Sequence, residues 1–465
     1  MERKLLKKLK KWQASPERKP LILEGARQVG KTYLLKKFGE KNFDNVIYVN
    51  LERPDSDIDT LFATTFEPKK IVETLSLKYN VKIVPERTLI IFDEIQEKPA
   101  IMTALKYFAE EAPEYSVVVA GSLLGVAFMK GVSFPVGKVD RMRLYPLDFE
   151  EFCWAMGLKN QLEAVRKSIH QKEMPLLGAD IRDAFQQYLA VGGMPAAVFN
   201  WAINRDIEAV DRILKNILAD YRDDFGKHAT ATEAEKIMRV WSSVPIQFAK
   251  ENHKFIYKAI RDSARGRDYE FALGWLKSAG LTYGVSLVAR GDRLPLKAYS
   301  DMKDFKLYML DVGLMRALAG LPSSVVVGED DIWSQFGGAF AEQYVLQQLL
   351  ANGMEEAYYW TGGADNESAP KARSEVDFIV SSKEKIIPIE VKSGTNVKAK
   401  SLKVYRKKYE PSLSVRFSLL GLDYNEGLLN LPLFYSFLFE EFLMIGAKNT
   451  EELMSFHTKS SQPKT

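Results

Sequence analysis

The sequence predicts an α/β protein in which a doubly wound parallel sheet is followed by a helical region, a hairpin and a second α/β domain. Two observations carry this prediction. Apolar strand patterns alternate with helical patterns from residue 21 to residue 152, beginning at a glycine-rich loop. A second group of strand patterns, with carboxylates at strand spacing, lies near residue 380.

The first strand leads into a phosphate-binding loop. Residues 21–32 read LILEGARQVGKT and satisfy the pattern G-x-x-x-x-G-K-[ST], with a strand before the loop and helical spacing after it. In such a loop the backbone N–H groups surround phosphate oxygens, the lysine reaches the outer phosphates and the threonine ligates Mg²⁺. The predicted nucleotide-binding residues are Gly25, Ala26, Arg27, Gln28, Val29, Gly30, Lys31, Thr32, Tyr33 and Asp93.

Two carboxylates end a later strand. LIIFDEIQ (Leu89 to Gln96) predicts a buried parallel strand that carries Asp93 and Glu94 at its C-terminal edge, where ligands bind in open α/β sheets. We expect Asp93 and Thr32 to hold Mg²⁺ and Glu94 to polarise the attacking water. The alternative is that this pair only caps a helix.

Length, charge, cysteine content and apolar segments limit the number of domains and the cellular location that we expect. The chain has 465 residues, which predicts about three domains, and its formal net charge of +4 says little about partners. Cys153 is the single cysteine, which excludes an intrachain disulfide and favours a cytoplasmic location. No segment predicts a membrane span: Leu428 to Ile445 indicates a buried strand followed by an amphipathic helix. The basic start, MERKLLKKLKKW, lacks the features of a signal peptide and favours a solvated helix face over a membrane or nucleic-acid contact.

Several motifs together resemble one family of prokaryotic AAA+-like ATPases with an appended domain of unknown function related to PD-(D/E)XK nucleases. They are GARQVGKT, LIIFDEI, VVVAGS, LYPLDFEEF, GGMP, AGLTYGV and FKLYMLDVGL, which span nearly the whole chain. The resemblance implies that Ser122 senses the γ-phosphate, that residues 150–229 form a helical lid and that the chain forms a homo-oligomer. Lys138 stands where the family has an arginine, so Arg141 and Arg143 are further candidates for an arginine finger.

The region after residue 230 predicts a winged helix. Thr232 and Glu235 indicate a capping box, further helices are expected over Phe255 to Arg261 and Tyr269 to Ser278, and two strands follow around ARGD. A protein-contact module is the alternative to DNA binding. The basic residues that favour DNA are Lys254, Lys258, Arg261, Arg265, Arg267, Arg290, Arg293 and Lys297.

The last strands carry a second chemical signature. Asp377 lies on one strand, and Glu390 and Lys392 share a face of the next. This arrangement resembles PD-(D/E)XK nucleases, which implies that Asp377 and Glu390 bind Mg²⁺ or Mn²⁺, that Glu342 supplies a further ligand and that Lys392 activates water. The following helix is basic, with Lys398, Lys400, Lys403, Arg406, Lys407 and Lys408. The four histidines, His170, His228, His253 and His457, show no zinc-ligand spacing.

The predicted organisation is a basic segment (1–19), an AAA+-like P-loop ATPase domain (20–149), a helical lid (150–229), a winged-helix module (230–325), a PD-(D/E)XK nuclease-like domain (326–446) and a polar tail (447–465). The predicted function is ATP hydrolysis coupled to action on DNA. The predicted catalytic residues are Lys31, Glu94, Ser122, Asp377, Glu390 and Lys392. The competing hypothesis is an ATP-dependent regulatory or scaffold protein whose C-terminal fold binds without cleaving.

Overall fold

A computed structural model of the chain describes residues 1–465 except 123–124, 127–134, 176–177, 249–253, 261–264, 324–330, 355, 363–373, 396–399, 449–452, 454 and 457–465. His253, Arg261, Lys398, His457 and most of the predicted tail therefore lie outside the described residues. The chain divides into two compact units, 2–146 with 271–281, and Met1 with 147–270 and 282–465.

The strands are β1 Leu21–Glu24, β2 Asn45–Asn50, β3 Thr88–Asp93, β4 Ser116–Gly121, β5 Asp140–Arg143, β6 Thr282–Val288, β7 Ser300–Met309, β8 Tyr358–Thr361, β9 Glu375–Ser382, β10 Lys385–Val391, β11 Ser414–Ser418, β12 Asp423–Asn425 and β13 Leu428–Pro432. The helices are α1 Leu5–Ala14, α2 Lys31–Asn42, α3 Ser56–Thr64, α4 Pro68–Tyr79, α5 Ile101–Glu111, α6 Phe149–Ala155, α7 Lys159–His170, α8 Ala179–Val191, α9 Pro195–Asn204, α10 Ile207–His228, α11 Ala231–Phe248, α12 Gly266–Ser278, α13 Val312–Leu318, α14 Asp331–Ala351, α15 Lys400–Tyr409 and α16 Phe439–Lys448.

The first unit is built on a five-stranded sheet. Its order is β2-β3-β4-β1-β5, and every neighbouring pair is parallel. Alternate residues such as Ile90 and Phe92 join apolar residues of α3, α4 and α5 in one core. Leu89 and Ile91 are equally buried and point to the other face because side chains alternate along a strand. The doubly wound parallel sheet is confirmed.

The basic N-terminal segment packs within this same unit. α1 buries Leu5, Leu9 and Trp12, which lie on one helix face, while its lysines stay exposed. The Trp12 indole donates to the backbone oxygen of Lys19 over 2.8 Å, and the Gln13 amide donates to that of Asn42, at the end of α2, over 3.0 Å. The segment is therefore an integral helix of this unit with a solvated basic side.

The second unit contains a mixed eight-stranded sheet of order β12-β13-β11-β10-β9-β8-β6-β7. The first strand of the predicted wing is β6, but the second was expected before Ser300, where the structure has a 3-10 turn, Leu296–Tyr299. β6 instead pairs antiparallel with β7 and in parallel with β8. The hairpin is therefore an edge of the large sheet, and the predicted boundary at 325/326 runs through one sheet. The winged helix itself gains no support and stays a prediction.

Two details of that region differ from the expected pattern. The capping box is made by Thr230 and Glu233, two residues earlier than predicted, where the Glu233 carboxylate accepts from the Thr230 backbone N–H at 2.9 Å. The expected helix from Phe255 is a single 3-10 turn, Tyr257–Ala259. Thr230 is the N-cap because the helix begins at Ala231, so Thr232 already lies inside the helix.

Two glycine-containing motifs meet inside the second unit. The buried Asp311 accepts from Gly193 N at 2.6 Å, from Leu314 N at 3.0 Å and from the Gln347 amide at 2.9 Å. A Cβ at Gly192 would lie 2.2 Å from Asp311 Oδ1, and Gly192 has a φ of +73°. GGMP and MLDVGL therefore have a packing role, because the close approach and the positive φ both require glycine.

The apolar stretch near the end forms β13, a 3-10 turn over Leu433–Leu438 and α16, as predicted. Within the part of the chain that the structure describes, no helix combines the length and apolarity needed to cross a membrane.

Candidate functional site

The loop between β1 and α2 depends on left-handed backbone conformations. Gly25 has a φ of +151°, Gln28 of +67° and Gly30 of +93°. A Cβ at Gly25 would lie 2.4 Å from the backbone oxygen of Leu144, so a larger residue does not fit. α2 begins directly after the loop, at Lys31, and its first N–H groups have no partner within the helix. The loop and the helix end together form the anion-binding geometry expected from the sequence.

Lys31 is buried within this loop, with 6% of its surface exposed. Its ammonium donates to the backbone oxygens of Gly25 and Ala26, each at 2.9 Å. Burial lowers the pKa of Lys31 to about 8, although the charges of Glu94 and Asp93 act in the opposite direction. The donors offered here, one ammonium and a helix N-terminus, suit the phosphates of a nucleotide.

The other predicted loop residues surround this lysine in different environments. Ala26 and Val29 are buried, and Tyr33 is 54% exposed on the first turn of α2. Arg27 forms an ion pair with Glu52 at 3.7 Å. Apart from Lys31, these side chains are buried, exposed or paired elsewhere. The loop therefore offers phosphate mainly its backbone N–H groups.

Asp93 is the centre of a hydrogen-bond group beside the loop. Its Oδ2 accepts from the Thr32 hydroxyl at 2.6 Å and from the Tyr48 phenol at 3.0 Å, and its Oδ1 accepts from Glu94 N at 3.1 Å. Thr32 and Asp93 are therefore adjacent, as their predicted shared role in holding Mg²⁺ requires. Hard oxygen ligands of this kind fit Mg²⁺ together with nucleotide phosphates.

The two remaining predicted groups of this site end β3 and β4. Glu94 has a left-handed backbone, with a φ of +57°, and its carboxylate accepts from the Gln96 amide at 2.7 Å. Ser122 is buried directly after β4, which lies between β3 and β1 in the sheet. Because parallel strands end at one edge, Ser122 lies between the strand of Asp93 and the strand of the loop.

Arg3 and Tyr48 belong to this site but were missed in the sequence. The Arg3 guanidinium is buried and donates to Val29 O at 3.0 Å and to Tyr145 O at 2.5 Å. The Lys36 ammonium lies 3.7 Å from the centroid of the Tyr48 ring. Neither residue has a local signal, because Arg3 lies in the basic N-terminal segment and Tyr48 lies inside the strand pattern of β2.

The three candidates for an arginine finger all have carboxylate partners in this structure. Lys138 pairs with Glu110 at 2.9 Å. Arg141 Nε and Arg143 donate to the two oxygens of Glu24, at 2.9 and 3.1 Å. Glu24 directly precedes Gly25, so both arginines lie within the nucleotide-binding unit itself.

A second cluster of charges lies in the eight-stranded sheet. β9 and β10 are antiparallel neighbours, and Phe378 pairs with Ile389, so Asp377 and Glu390 lie side by side. Asp377 Oδ2 accepts from Val391 N at 2.7 Å, and Glu390 Oε1 forms an ion pair with Lys392 at 2.7 Å. Asp377, Glu390 and Lys392 are therefore brought together as predicted.

Glu342 reaches the same cluster from α14 but is held by residues that sequence reasoning missed. Its Oε2 accepts from the Tyr308 phenol at 2.9 Å and pairs with the Lys306 ammonium at 3.4 Å. Lys306, whose side chain is fully buried, also pairs with Glu375 at 2.6 Å. Both missed side chains come from β7, in which a lysine between apolar residues was the available signal.

Burial governs the titration of this cluster. Desolvation, with the charges of Glu342 and Glu390, raises the pKa of Asp377 well above its usual range. Desolvation also raises the pKa of Glu390, against the charge of Lys392. The four carboxylates Glu342, Glu375, Asp377 and Glu390 face the two ammonium groups of Lys306 and Lys392, which leaves a formal charge of −2 when all are ionised.

The cluster fits a divalent cation only in part. Glu390 Oε2 is buried and has no hydrogen-bond partner among the described residues, as expected of an oxygen that binds an ion. However, among the described residues no group of three or more His, Cys, Asp and Glu side chains is close enough to hold a metal ion. The role of Glu342 as a metal ligand and the binding of Mn²⁺ therefore remain predictions.

The first unit thus has the features of a P-loop nucleotide-binding domain: the loop, the Thr32–Asp93 contact and a parallel sheet with β4 between β3 and β1. A family model described as an AAA domain matches residues 17–153. The prediction of an AAA+-like P-loop domain is confirmed at this level. Two further family models match, both described only as domains of unknown function: DUF8612 over residues 182–325 and DUF4143 over residues 337–434.

The chain is also similar to solved structures. One is the ORC1 protein of Aeropyrum pernix in complex with DNA, at 14% identity and a TM-score of 0.29, covering 69% of this chain and 92% of that one. Another is the Holliday junction branch migration motor RuvB of Thermotoga maritima, at 13% identity and a TM-score of 0.30, covering 64% and 94%. Similarity at this level carries no functional argument. No curated protein matches the chain.

Proposed function

We propose that the chain binds and hydrolyses ATP at the loop of Gly25 to Thr32. The observation that carries the proposal is the hydrogen bond between Thr32 and Asp93 beside a buried lysine in a phosphate loop. When bound, Mg²⁺ neutralises phosphate charge and orients the nucleotide. The chain's own contribution is to bind the phosphates with Lys31 and the loop N–H groups, and to orient water with Glu94.

The test compares two variants of the nucleotide site with matched controls. Lys31→Ala should lower ATP hydrolysis by about 100-fold or more, because a fixed positive charge next to the phosphates is lost. Lys41→Ala, at an exposed position on the same helix, should hydrolyse ATP as the wild type does. Glu94→Gln should retain ATP binding and lose hydrolysis. The control Glu97→Gln should retain both ATP binding and hydrolysis. Hydrolysis that survives in Lys31→Ala would contradict the proposal.

We propose, second, that the carboxylate cluster acts on nucleic acid. The supporting observation is that Asp377, Glu390 and Lys392 lie together on β9 and β10, with one buried oxygen of Glu390 that has no partner among the described residues. Mg²⁺ at Asp377 and Glu390 would supply charge neutralisation and activate water for phosphodiester cleavage. Lys392 holds Glu390 in place and can exchange a proton with water. DNA is the preferred substrate in this proposal.

The competing function is binding without cleavage, and the observation that favours it is Lys306. This buried ammonium already pairs with both Glu342 and Glu375, and no three-ligand metal group is formed among the described residues. Incubation of end-labelled DNA and RNA with Mg²⁺ or Mn²⁺, with and without ATP, separates the two. Cleavage that disappears in Asp377→Ala supports a nuclease. Cleavage that persists in Asp377→Ala, or none with the wild type, contradicts it.

We also propose that ATP promotes self-association, as the AAA+ resemblance implies. Light scattering of Glu94→Gln with ATP should detect an oligomer. A monomer under these conditions would contradict this part of the proposal.

A further inference from the structure

Two basic segments that lie more than 100 residues apart in the sequence are in contact within the second unit. The first is the connection 289–297 between β6 and β7, and the second is α15. The Tyr405 phenol of α15 donates to the backbone oxygen of Gly291. A Cβ at Gly291 would lie 2.5 Å from that phenol oxygen, so the two segments pack closely.

Apolar contacts hold this arrangement in place. Leu402 and Tyr405 are buried in a cluster with Val288, Leu296 and Trp360. Trp360 packs edge-on against Tyr405, with 5.1 Å between ring centroids. The apolar face of α15 and the start of the connection are therefore fixed to the sheet, and the charged residues are left on the outside.

We call these charged residues the basic face. Its cations are Arg290, Arg293, Lys297, Lys400, Lys403, Arg406, Lys407 and Lys408, all exposed except the half-buried Arg406. The acidic residues beside them are Asp292, Glu356, Glu410 and Glu426. Eight cations against four carboxylates leave a surplus of four, which equals the formal net charge of +4 of the whole chain. The basic face is thus a local concentration of charge on an otherwise balanced protein.

The available acids neutralise mainly one side of this face. Asp292 pairs with Arg290 at 3.1 Å and lies 4.0 Å from Arg293, and Glu356 lies 3.6 Å from Lys297. Along α15, Lys403 and Lys407 are one helical turn apart and exposed, with no ion pair among the described residues. Lys408 lies 5.1 Å from the ring centroid of Tyr409.

The basic face adjoins the carboxylate cluster. Glu375 N, at the start of β9, donates to the Ser401 hydroxyl in the first turn of α15 at 3.1 Å. The side chain of the same Glu375 pairs with Lys306 inside the cluster. α15 therefore begins beside the strand that carries Asp377, two residues further along β9.

We propose that the basic face binds the phosphate backbone of a nucleic acid and leads it to the carboxylate cluster. The inference rests on the proposed action of that cluster on nucleic acid. It adds one binding surface that α15 and the β6–β7 connection form together, whereas the sequence pattern treats their basic residues as two separate groups. Recognition is by charge, so binding depends strongly on salt and weakly on base sequence.

The test measures binding separately from cleavage. Fluorescence anisotropy of the full chain with a labelled DNA duplex, in EDTA and from about 50 to 200 mM salt, gives the affinity and its salt slope. Lys403→Glu with Lys407→Glu should weaken binding by about tenfold or more and reduce the slope by about 2. Lys7→Glu with Lys11→Glu, on exposed positions of α1, makes the same charge change at the same spacing and should have little effect.

Each outcome separates the surface from the proposed cleavage. Equal losses in the two double variants, or unchanged binding in the α15 variant, overturn the inference. So does a wild type that binds polyglutamate in the same salt range but no nucleic acid, because the face would then be a protein contact. Salt-sensitive binding through α15 with no cleavage in Mg²⁺ or Mn²⁺ supports the face and contradicts only the nuclease.

Discussion

Replacement of Lys306 by methionine provides the most direct test of the charge cluster. The ammonium is fully buried and pairs with Glu375 at 2.6 Å and with Glu342 at 3.4 Å. Methionine keeps most of the volume but leaves both carboxylates without their cation. Removing one partner of a buried ion pair costs about 3–5 kcal/mol, because an uncompensated charge stays buried. That is a large part of the about 5–15 kcal/mol that stabilises a typical domain.

The assay must resolve one unit of the chain from the other. Hydrogen exchange followed by mass spectrometry reports local opening, so peptides from β7 and β9 should lose protection in Lys306→Met. Peptides from β1 to β4 lie in the other unit and serve as an internal reference. Lys303→Met is the matched control, because Lys303 is on the same strand but exposed.

A second substitution separates the charge effect from a simple packing defect. Lys306→Met with Glu342→Gln removes one of the stranded carboxylates, so it should recover about 0.5–3 kcal/mol relative to Lys306→Met alone. If the β7 and β9 peptides of Lys306→Met exchange as slowly as those of Lys303→Met, the reasoning is refuted. The buried ammonium would then contribute nothing to the stability of this unit. Failure of the double variant to recover any protection would show that the loss arises from packing.

Three further predictions concern both sites. Because burial lowers the pKa of Lys31 to about 8, ATP affinity measured by fluorescent-nucleotide titration should be constant just below pH 8 and fall above it, and Lys31→Met should lack that fall. Tyr48→Phe removes one of two donors to Asp93 Oδ2, so it should raise the Mg²⁺ concentration needed for half-maximal nucleotide binding by about tenfold or less, with Mg²⁺-free binding unchanged; an identical Mg²⁺ titration would contradict this role. Burial raises the pKa of Asp377, so the folded state keeps a proton that the unfolded state loses, and stability from urea unfolding should decrease as pH rises above about 4. Asp377→Asn should weaken that decrease and be more stable than the wild type at pH 8; equal pH dependence would show that Asp377 is ionised in both states.

The nucleotide site was largely predictable because its parts are local. The loop, Lys31 and Thr32 lie within a dozen residues, and a strand, a glycine turn and a helix N-terminus define their positions almost without reference to the rest of the chain. The contact of Thr32 with Asp93 needed one further rule, that parallel strands end at the same edge of a sheet. Arg3 could not be found this way, since its contacts with Val29 and Tyr145 bridge 26 and 142 residues.

The carboxylate cluster was only half predictable. Asp377 and Glu390 lie on consecutive strands, so alternation and a short turn bring them together. Lys306 comes from a hairpin that reads as a separate module, so its apolar neighbours Phe305 and Leu307 indicate a buried strand but not the carboxylates beside it. In the structure Lys303 is exposed and Lys306 is fully buried.

The sequence by itself determined the phosphate loop, the strands that end in carboxylates and the helices with one apolar face, because each depends on the periodicity or the backbone chemistry of a few adjacent residues. Only the tertiary structure decided that the β6–β7 hairpin joins the large sheet through β8, that Lys306 neutralises Glu342, and that α15 packs on Gly291. The physical reason is that an alternating strand pattern specifies which face is buried but not which strand lies beside it. Sheet neighbours are chosen by packing across the whole unit.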